Sequence, residues 1–435
     1  MQAVILAGGK ATRLGAAAQA RPKALVDIGG QPLLDHHLRL LKRYGIDDVI
    51  LMVGHLAQPI IDEIGDGSGR GMRVRYYREE EPLGTAGGLR KIAAMLADDF
   101  LLLYGDIMVD MDLARLMRYH RSASALASLV VHPNDHPYDS DLVEVDERGR
   151  VAAFHPKPHP EGVYFRNLVN AAIYVMSPDI LRFIPADGPS DFGKDVFPAA
   201  CRQAKIFAYN SPEYIKDIGT PERLEGVRRD FKDGLVAGRN LERPRPAVFL
   251  DRDGVINREL DHLGSVDRFE LLPGAAEAIG RLNRAGFLVL VATNQPGVAK
   301  GFFTEDTVRE IHRRLETEIG RGGAYVNGIY YCPHHPEKGF PGEVESLKID
   351  CECRKPKTGM IDRARGEFNI DVSRSWFVGD SARDIECGRR AGMRTVGVRT
   401  GYGCADLAGS PGPDAFAADL ADAVDYVISN TIPER

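Results

Sequence analysis

Short apolar runs alternate with amphipathic stretches along the chain, and the alternation stops and restarts once. In the first half the runs are Ala3–Leu6, Asp48–Val53, Phe100–Tyr104, Ala125–Val131 and Ala171–Val175. Each is too short for a helix and rich in aliphatic and β-branched side chains, so each predicts a buried strand. Helical patterns lie between them, which predicts an α/β sandwich. The pattern breaks over Phe231–Pro246, a polar stretch with two prolines and two glycines. A linker is expected at 233–246, least periodic from Asn240 onward, between domains at 1–232 and 247–435. Beyond it, strands are expected at Ala247–Leu250, Phe287–Ala292, Gly328–Tyr331, Ser375–Val378 and Thr395–Val398. Helices are expected at Ala275–Ala285, Thr304–Ile319, Thr358–Phe368 and Ala382–Ala391. The tail after Tyr402 is rich in Gly, Pro and Ala and shows no chemistry. No internal repeat is visible.

Composition narrows the class. With 435 residues, 44% hydrophobic and 27% charged, the chain has the make-up of an ordinary globular protein with room for two cores. A formal net charge of −6 argues against nucleic acid as a partner but not against small anions, which a few local cations can bind. No apolar run approaches the ~18 residues that span a bilayer, and a strand at the very start leaves no space for a signal peptide. Six cysteines, two of them in a Cys-x-Cys pair, fit metal binding in a reducing compartment better than disulfides. A cytoplasmic enzyme without a membrane partner is expected; the oligomeric state is not readable.

The second half carries four pieces of one chemistry. The strand Ala247–Leu250 runs into Asp251-Arg-Asp253-Gly254; Thr293, Asn294 and Gln295 follow the next strand; Arg354-Lys355-Pro356 is expected to begin a helix; and Gly379-Asp380 ends a further strand, with Asp384 just beyond. A carboxylate at the carboxyl end of a parallel strand faces the crevice where such sheets bind ligands. Phosphoryl transfer needs a nucleophile, donors for the non-bridging oxygens and a cation. Asp251 suits the first role, Thr293 and Lys355 the second, and Mg²⁺ held by Asp251, Asp380 and the Asp253 carbonyl the third. Asp253 is placed to pass protons. These motifs resemble the haloacid dehalogenase superfamily across residues 247–400. That resemblance implies a capless fold, with Asp251 as nucleophile and Asp253 as general acid/base.

Cys332-Pro-His334 and Cys351-Glu-Cys353 supply three thiols and one imidazole, a complete set for a closed tetrahedral Zn²⁺ site. The loop between them has few core residues, so the metal would order it and position the adjoining Arg354 and Lys355. His335, beside the cluster, is expected to be exposed. The stretches DRDGVIN, TNQPGVAKG, CPHHP, CECRKPKTGM and VGDSARD together resemble the D,D-heptose 1,7-bisphosphate 7-phosphatases, and histidinol-phosphate phosphatases share much of the set. The resemblance implies substrate contacts from Arg354, Asn294 and Gln295 and from Glu259, Asp261 and His262. Ser381 departs from it, because the heptose enzymes tend to have Lys there.

The first half opens with Ala3–Leu6 running into Ala7-Gly8-Gly9-Lys-Ala11-Thr-Arg13. A glycine turn after a strand presents backbone N–H groups to phosphate. Arg13 and, slightly later, Lys23 add positive charge. Gly84, Thr85 and Gly87 lie in a small-residue loop able to sit against a base. Asp106 and Asp217 are two separated carboxylates that suit Mg²⁺ beside an α-phosphate. LAGGKATRL, RPKALVDIGGQPLL, EPLGTAGGL, YGD, FHPKP, NAAIYV and KDIGTPE resemble the sugar-1-phosphate nucleotidyltransferases over residues 1–228, with heptose-1-phosphate guanylyltransferases nearest. By that resemblance Lys157 binds the sugar's phosphate, Asn170 a sugar hydroxyl and the Gly84–Gly87 loop the base. The family usually has Gly where Ala11 stands. Glu79–Glu80 reads as a solvated run and Arg389–Arg390 as an exposed helix face.

The two resemblances imply two Rossmann-like three-layer αβα domains. They also imply consecutive reactions, the first releasing the sugar 1-phosphate that the second consumes. A histidinol-phosphate-type phosphatase joined to a hexose-1-phosphate nucleotidyltransferase, or a phosphatase with a nucleotide-sensing N-terminal half, are the alternatives.

Overall fold

A computed structural model describes residues 1–9, 22–54, 56–409 and 411–431. Arg13, Ala11 and Arg21 lie outside the described residues. The chain forms two compact units. The first comprises Met1–His132, Asp141–Pro156 and Val169–Glu242; the second comprises Pro133–Ser140, Lys157–Leu168 and Arg243–Arg435.

In the first unit, Gln2–Leu6 is the middle of a mixed sheet, parallel to Asp48–Val53 on one side and to Phe100–Tyr104 on the other. Arg73–Arg78 extends one edge in parallel, while Val169–Met176 adds antiparallel to Phe100–Tyr104. Alternate residues face opposite ways along each strand. Ala3, Ile5, Val49, Leu51, Leu101 and Leu103 therefore share a core with Leu34, Leu38 and Leu41 of the helix Leu33–Arg43. Val4, Ile50 and Leu102, on the other face, are also fully buried. A separate antiparallel pair joins Ile107–Asp110 to Tyr214–Asp217.

The second unit holds six parallel strands in the order Gly328–Cys332, Leu288–Asn294, Ala247–Leu250, Trp376–Gly379, Arg394–Val398, Ala415–Ala417. Counted along the chain this is 3-2-1-4-5-6, so the winding reverses between the first and fourth strands, and ligands bind in the crevice at that reversal. Val248, Leu250, Val289, Val291 and Val378 pack with the helices Ala275–Arg284, Glu305–Arg321 and Leu420–Thr431. Ala247, Phe249, Leu290 and Phe377 pack on the other face with the helix Gly359–Phe368 and with Cys387. The expected αβα layering is present in this unit, and the expected strands and helices lie within about two residues of their observed ends.

Four expectations change. The stretch assigned to a linker contains the helix Leu235–Gly238, and Val236 and Leu241 are buried, because Val236 completes an apolar cluster with Val227 and Tyr214. The helix expected at Arg354 begins only at Gly359, so Lys355 stands in a turn. The tail carries a strand and a helix whose Leu420, Ala423, Val424 and Val427 are buried at helical spacing. Finally, Pro133–Ser140 and Lys157–Leu168 pack with the second unit, where the Phe165 amide donates to the Thr317 hydroxyl at 3.1 Å and Arg166 pairs with the buried Glu316 at 3.5 Å.

Candidate active sites

The crevice at the strand reversal of the second unit gathers the predicted phosphatase residues. Asp251 leaves the first strand with its amide bonded to the Val378 carbonyl of the fourth, which locks the two strand ends together. The Lys355 ammonium lies 2.9 Å from Asp251 Oδ1 and 2.7 Å from Asp384 Oδ1. Lys355 is 2% exposed and Asp384 is wholly buried, so a single cation neutralises two carboxylates in a dry site. Burial pushes the Asp251 carboxyl up to about 6, with Lys355 opposing and Asp384 adding to the rise. Burial, then the nearby Asp251, pushes Asp380 up to about 8. Asp251, Asp380 and Asp384 each place one oxygen within 4.8 Å of the others, a carboxylate set able to hold a divalent cation.

Gly254 has φ of 79°, and a Cβ there would collide with Asp380. The turn after the first strand thus requires glycine twice over, for its backbone and for the room it leaves the third acid. The Tyr402 amide donates to Asp380 Oδ2 at 2.8 Å and the Thr400 hydroxyl to the Gly254 carbonyl at 2.6 Å.

Asn294 and Gln295 are spent on positioning. The Asn294 amide group pairs with the main chain of Lys355 in both directions, at 3.0 and 3.1 Å. Gln295 Nε2 donates at 2.9 Å to both Asp253 Oδ2 and Thr293 Oγ1. Thr293 is 1% exposed at the end of the second strand. Ser381 caps the helix Ala382–Arg390, its hydroxyl donating to Asp384 Oδ2 at 2.7 Å while Asp384 accepts from the Ser381 amide. The capping box fixes Asp384 toward Lys355, a part for Asp384 that the sequence did not disclose.

Glu259, Asp261 and His262 lie on the loop after this turn. Burial, then the charge of Asp253, pushes Glu259 up to about 7. Asp261 has φ of 60°, and its carboxylate accepts from the Tyr402 hydroxyl at 3.0 Å. His262 Nε2 is 3.4 Å from the Lys300 ammonium.

Cys332, His334, Cys351 and Cys353 converge, all four ligand atoms lying within 4.8 Å of one another. Separations of 3.4 Å for Cys332–Cys351, 3.2 Å for Cys351–Cys353 and 3.3 Å from His334 Nδ1 to Cys353 leave the shape of a tetrahedral thiolate–imidazole site. The hydrogen bond between Cys332 and Cys353 holds the Cys353 thiol down at about 5 and pushes the Cys332 thiol up. Arg354 Nη1 donates to the His334 carbonyl at 3.3 Å, so the cluster anchors the segment carrying Lys355. His335 is a correction: it is buried, 5.8 Å from the Phe340 ring centre, because the loop folds over it.

In the first unit, Lys23 is buried and its ammonium lies 3.1 Å from Asp106 Oδ2. The strand pairing sets Asp217 opposite Ile107, and the Ile218 amide donates to the Asp106 carbonyl, so the two predicted acids occupy adjacent strand ends. Asp217 is held by Arg223 at 2.8 Å. Gly8 and Gly9 follow the strand Gln2–Leu6 after one intervening residue, Ala7. Glu79 departs from the solvated reading: it is half-buried and its carboxylate packs against Gly8 and Gly88, which raises its pKa by burial. Gly84 has φ of 76°, and a Cβ there would run into the Ser190 carbonyl. The Thr85 hydroxyl donates to Asp191 at 2.7 Å and accepts from the Phe192 amide. Gly87 opens a 3-10 helix. The small-residue loop is thus clamped on the segment around Ser190. Asn170 stands on Val169–Met176, its side chain accepting from the Ala172 amide, and Lys157 contacts Asp139 at 2.8 Å in the second unit. Arg389 and Arg390 are exposed, as expected.

The nucleotidyl transferase family matches residues 2–233, and a HAD-hydrolase-like family matches residues 352–423. A D-glycero-D-manno-heptose-1,7-bisphosphate 7-phosphatase of Thermosynechococcus vestitus is 40% identical over 197 residues, covering 44% of this chain and 99% of that protein. A D-glycero-beta-D-manno-heptose-1,7-bisphosphate 7-phosphatase of Rhodopseudomonas palustris is 44% identical over 149 residues, covering 34% of this chain and 81% of the relative. The crystal structure of HddC from Yersinia pseudotuberculosis is 26% identical with a TM-score of 0.46, over 53% of this chain and 99% of that one. The chain therefore belongs both to the nucleotidyl transferase family and to the D-glycero-D-manno-heptose-1,7-bisphosphate 7-phosphatase family, two enzymes on one polypeptide.

Proposed function

We propose that the second unit removes the 7-phosphate of D-glycero-D-manno-heptose 1,7-bisphosphate, and that the first unit transfers a nucleotidyl group to the heptose 1-phosphate so formed. The observation that carries the reading is the cluster of Asp251, Asp253, Lys355, Asp380 and Asp384 at the strand reversal, in a chain that is 40% identical over 197 residues to such a phosphatase. An Asp251 oxygen attacks phosphorus and the ester bond breaks, the leaving oxygen taking its proton from Asp253. Water then attacks the aspartyl phosphate, Asp253 takes the water's proton, and the Asp251 carboxylate is regenerated. Thr293 and Lys355 donate to the non-bridging oxygens. Asp251, Asp380 and the Asp253 carbonyl are the ligands for Mg²⁺, which supplies neutralising charge at the phosphoryl group. The Cys₃His cluster is the ligand set for a structural Zn²⁺ that holds Arg354 and Lys355 in register. Arg354, with Glu259, Asp261 and His262, meets the sugar and its remaining phosphate.

In the first unit no protein nucleophile is needed: the sugar phosphate oxygen attacks the α-phosphorus and pyrophosphate leaves. Gly8, Gly9, Arg13 and Lys23 serve the triphosphate, Asp106 and Asp217 a second Mg²⁺, the Gly84–Gly87 loop the base, and Asn170 a sugar hydroxyl. GTP is the nucleotide on the motif resemblance, giving GDP-D-glycero-D-manno-heptose, used for surface polysaccharide in a cytoplasmic pathway. Two variants test the division. Asp251→Asn should abolish phosphate release, by about 10⁴-fold or more, with transfer to supplied heptose 1-phosphate retained. Asp106→Asn should do the reverse. Loss of both activities from either change in folded protein contradicts the two-site reading.

A further inference from the structure

Arg252, between the two aspartates, is wholly buried, which is costly for a cation unless its partners are fixed. Its guanidinium donates to Asp253 from Nε at 3.2 Å to Oδ1, and from Nη2 at 2.9 and 2.7 Å to the two carboxylate oxygens. The remaining nitrogen, Nη1, lies 3.2 Å from His312 Nε2. An arginine has only hydrogens to give, so this imidazole nitrogen is the acceptor and the ring is neutral. His312 is 60 residues away, on the buried face of the helix Glu305–Arg321 that also presents Val308, Ile311, Leu315 and Ile319. The same Arg252 donates its backbone N–H to Asp251 Oδ1 at 2.7 Å. One residue thus holds the nucleophile through its main chain and the acid/base through its side chain. Asn257 and Gln295, each at 2.9 Å, also donate to Asp253, whose side chain stays 18% exposed and so open to a water.

A buried ion pair gives little net stability compared with a well-packed apolar pair, so stability alone does not account for a guanidinium here. A planar fork does fix the orientation of a carboxylate in a way a point charge cannot. We propose that Arg252, itself held by His312, is a positioning residue that keeps Asp253 oriented as the base which takes the proton of the water attacking the aspartyl phosphate. This rests on the phosphatase reading of the site. Without Arg252 the first step survives for a leaving group that needs no proton, and the second step stalls.

The test uses the full chain with p-nitrophenyl phosphate and Mg²⁺, following p-nitrophenolate from the first turnover onward. For Arg252→Met the expected result is a burst approaching one p-nitrophenolate per site, followed by steady turnover about 100-fold below wild type. Aspartyl phosphate should be trapped on acid quench. Arg252→Lys should recover part of the steady rate, because the charge returns without the fork. His312→Leu should show the same pattern with a several-fold slower steady phase, and it decides the matter if Arg252→Met does not fold. Burst and steady phase falling by one common factor, or neither changing, would overturn the proposal. A wild-type chain that releases no p-nitrophenolate at all would instead overturn the phosphatase reading beneath it.

Discussion

The two active sites place acids at strand ends alike but hold them in opposite ways. In the second unit Asp251 and Asp384 share the buried Lys355, and the side chains of Lys355 and Asp384 are 2% and 0% exposed. In the first unit Asp106 and Asp217 are 36% and 41% exposed, each beside its own cation. On the proposed roles of these residues, the chemistry accounts for the contrast. A phosphatase that forms a covalent aspartyl phosphate must present its nucleophile already aimed and desolvated. A nucleotidyltransferase takes both reacting groups from its substrates, so its acids can stay solvated until substrates arrive.

Exchanging each site's lysine gives the largest separation between the two. Lys355→Met leaves two carboxylates buried without their counter-charge, and should cost about 3 kcal/mol of stability as well as phosphatase activity. Lys23→Met should reduce nucleotidyl transfer about 100-fold and change stability by less than about 1 kcal/mol, since Asp106 can turn to solvent. Chemical denaturation of both variants checks this; equal destabilisation would break the contrast.

Metal removal comes next. A strong zinc chelator should lower the thermal transition of the second unit and slow phosphate release, because Arg354 and Lys355 lose their anchor, while pyrophosphate release in the presence of excess Mg²⁺ persists. Metal analysis should return one zinc per chain.

The smallest effect sharpens the picture of the first unit. Burial pushes Glu213 up to about 7, although it accepts from the Leu241 and Asp112 amides and from the Ser211 hydroxyl. Its folded value lies above the unfolded one of about 4.3, so its contribution to stability is complete below that value and is lost as pH rises through about 7. Glu213→Gln keeps an acceptor for both amides and should remove on the order of 2 kcal/mol of pH dependence between pH 5 and 8. Melting curves at both pH values measure it.

How much the sequence disclosed follows the same divide. Asp251, Thr293 and Asp380 were legible because each stands at the carboxyl end of an unmistakable apolar run, and strand order then brings these ends to one crevice. Cys332, His334, Cys351 and Cys353 were legible as a cluster because three thiols and an imidazole at that spacing have few uses other than holding a metal ion. Arg252 was not: its partner His312 is remote, and the only local signal is a histidine on the apolar stripe of Glu305–Arg321. Asp384 was seen but given no role, since its aim depends on the Ser381 cap and on Lys355. The tail helix Leu420–Thr431 had a readable apolar stripe, hidden by the Gly/Pro-rich residues before it. The packing of Pro133–Ser140 and Lys157–Leu168 with the second unit depends on contacts such as Phe165 with Thr317, which no local pattern encodes.

The most direct measurement is phosphorus NMR of the purified chain with heptose 1,7-bisphosphate (each anomer), Mg²⁺ and each nucleoside triphosphate in turn. Free phosphate first, then pyrophosphate and a nucleotide-heptose signal with GTP, is the predicted result. Free phosphate with no pyrophosphate under any nucleotide would contradict the claim that the chain carries out consecutive steps.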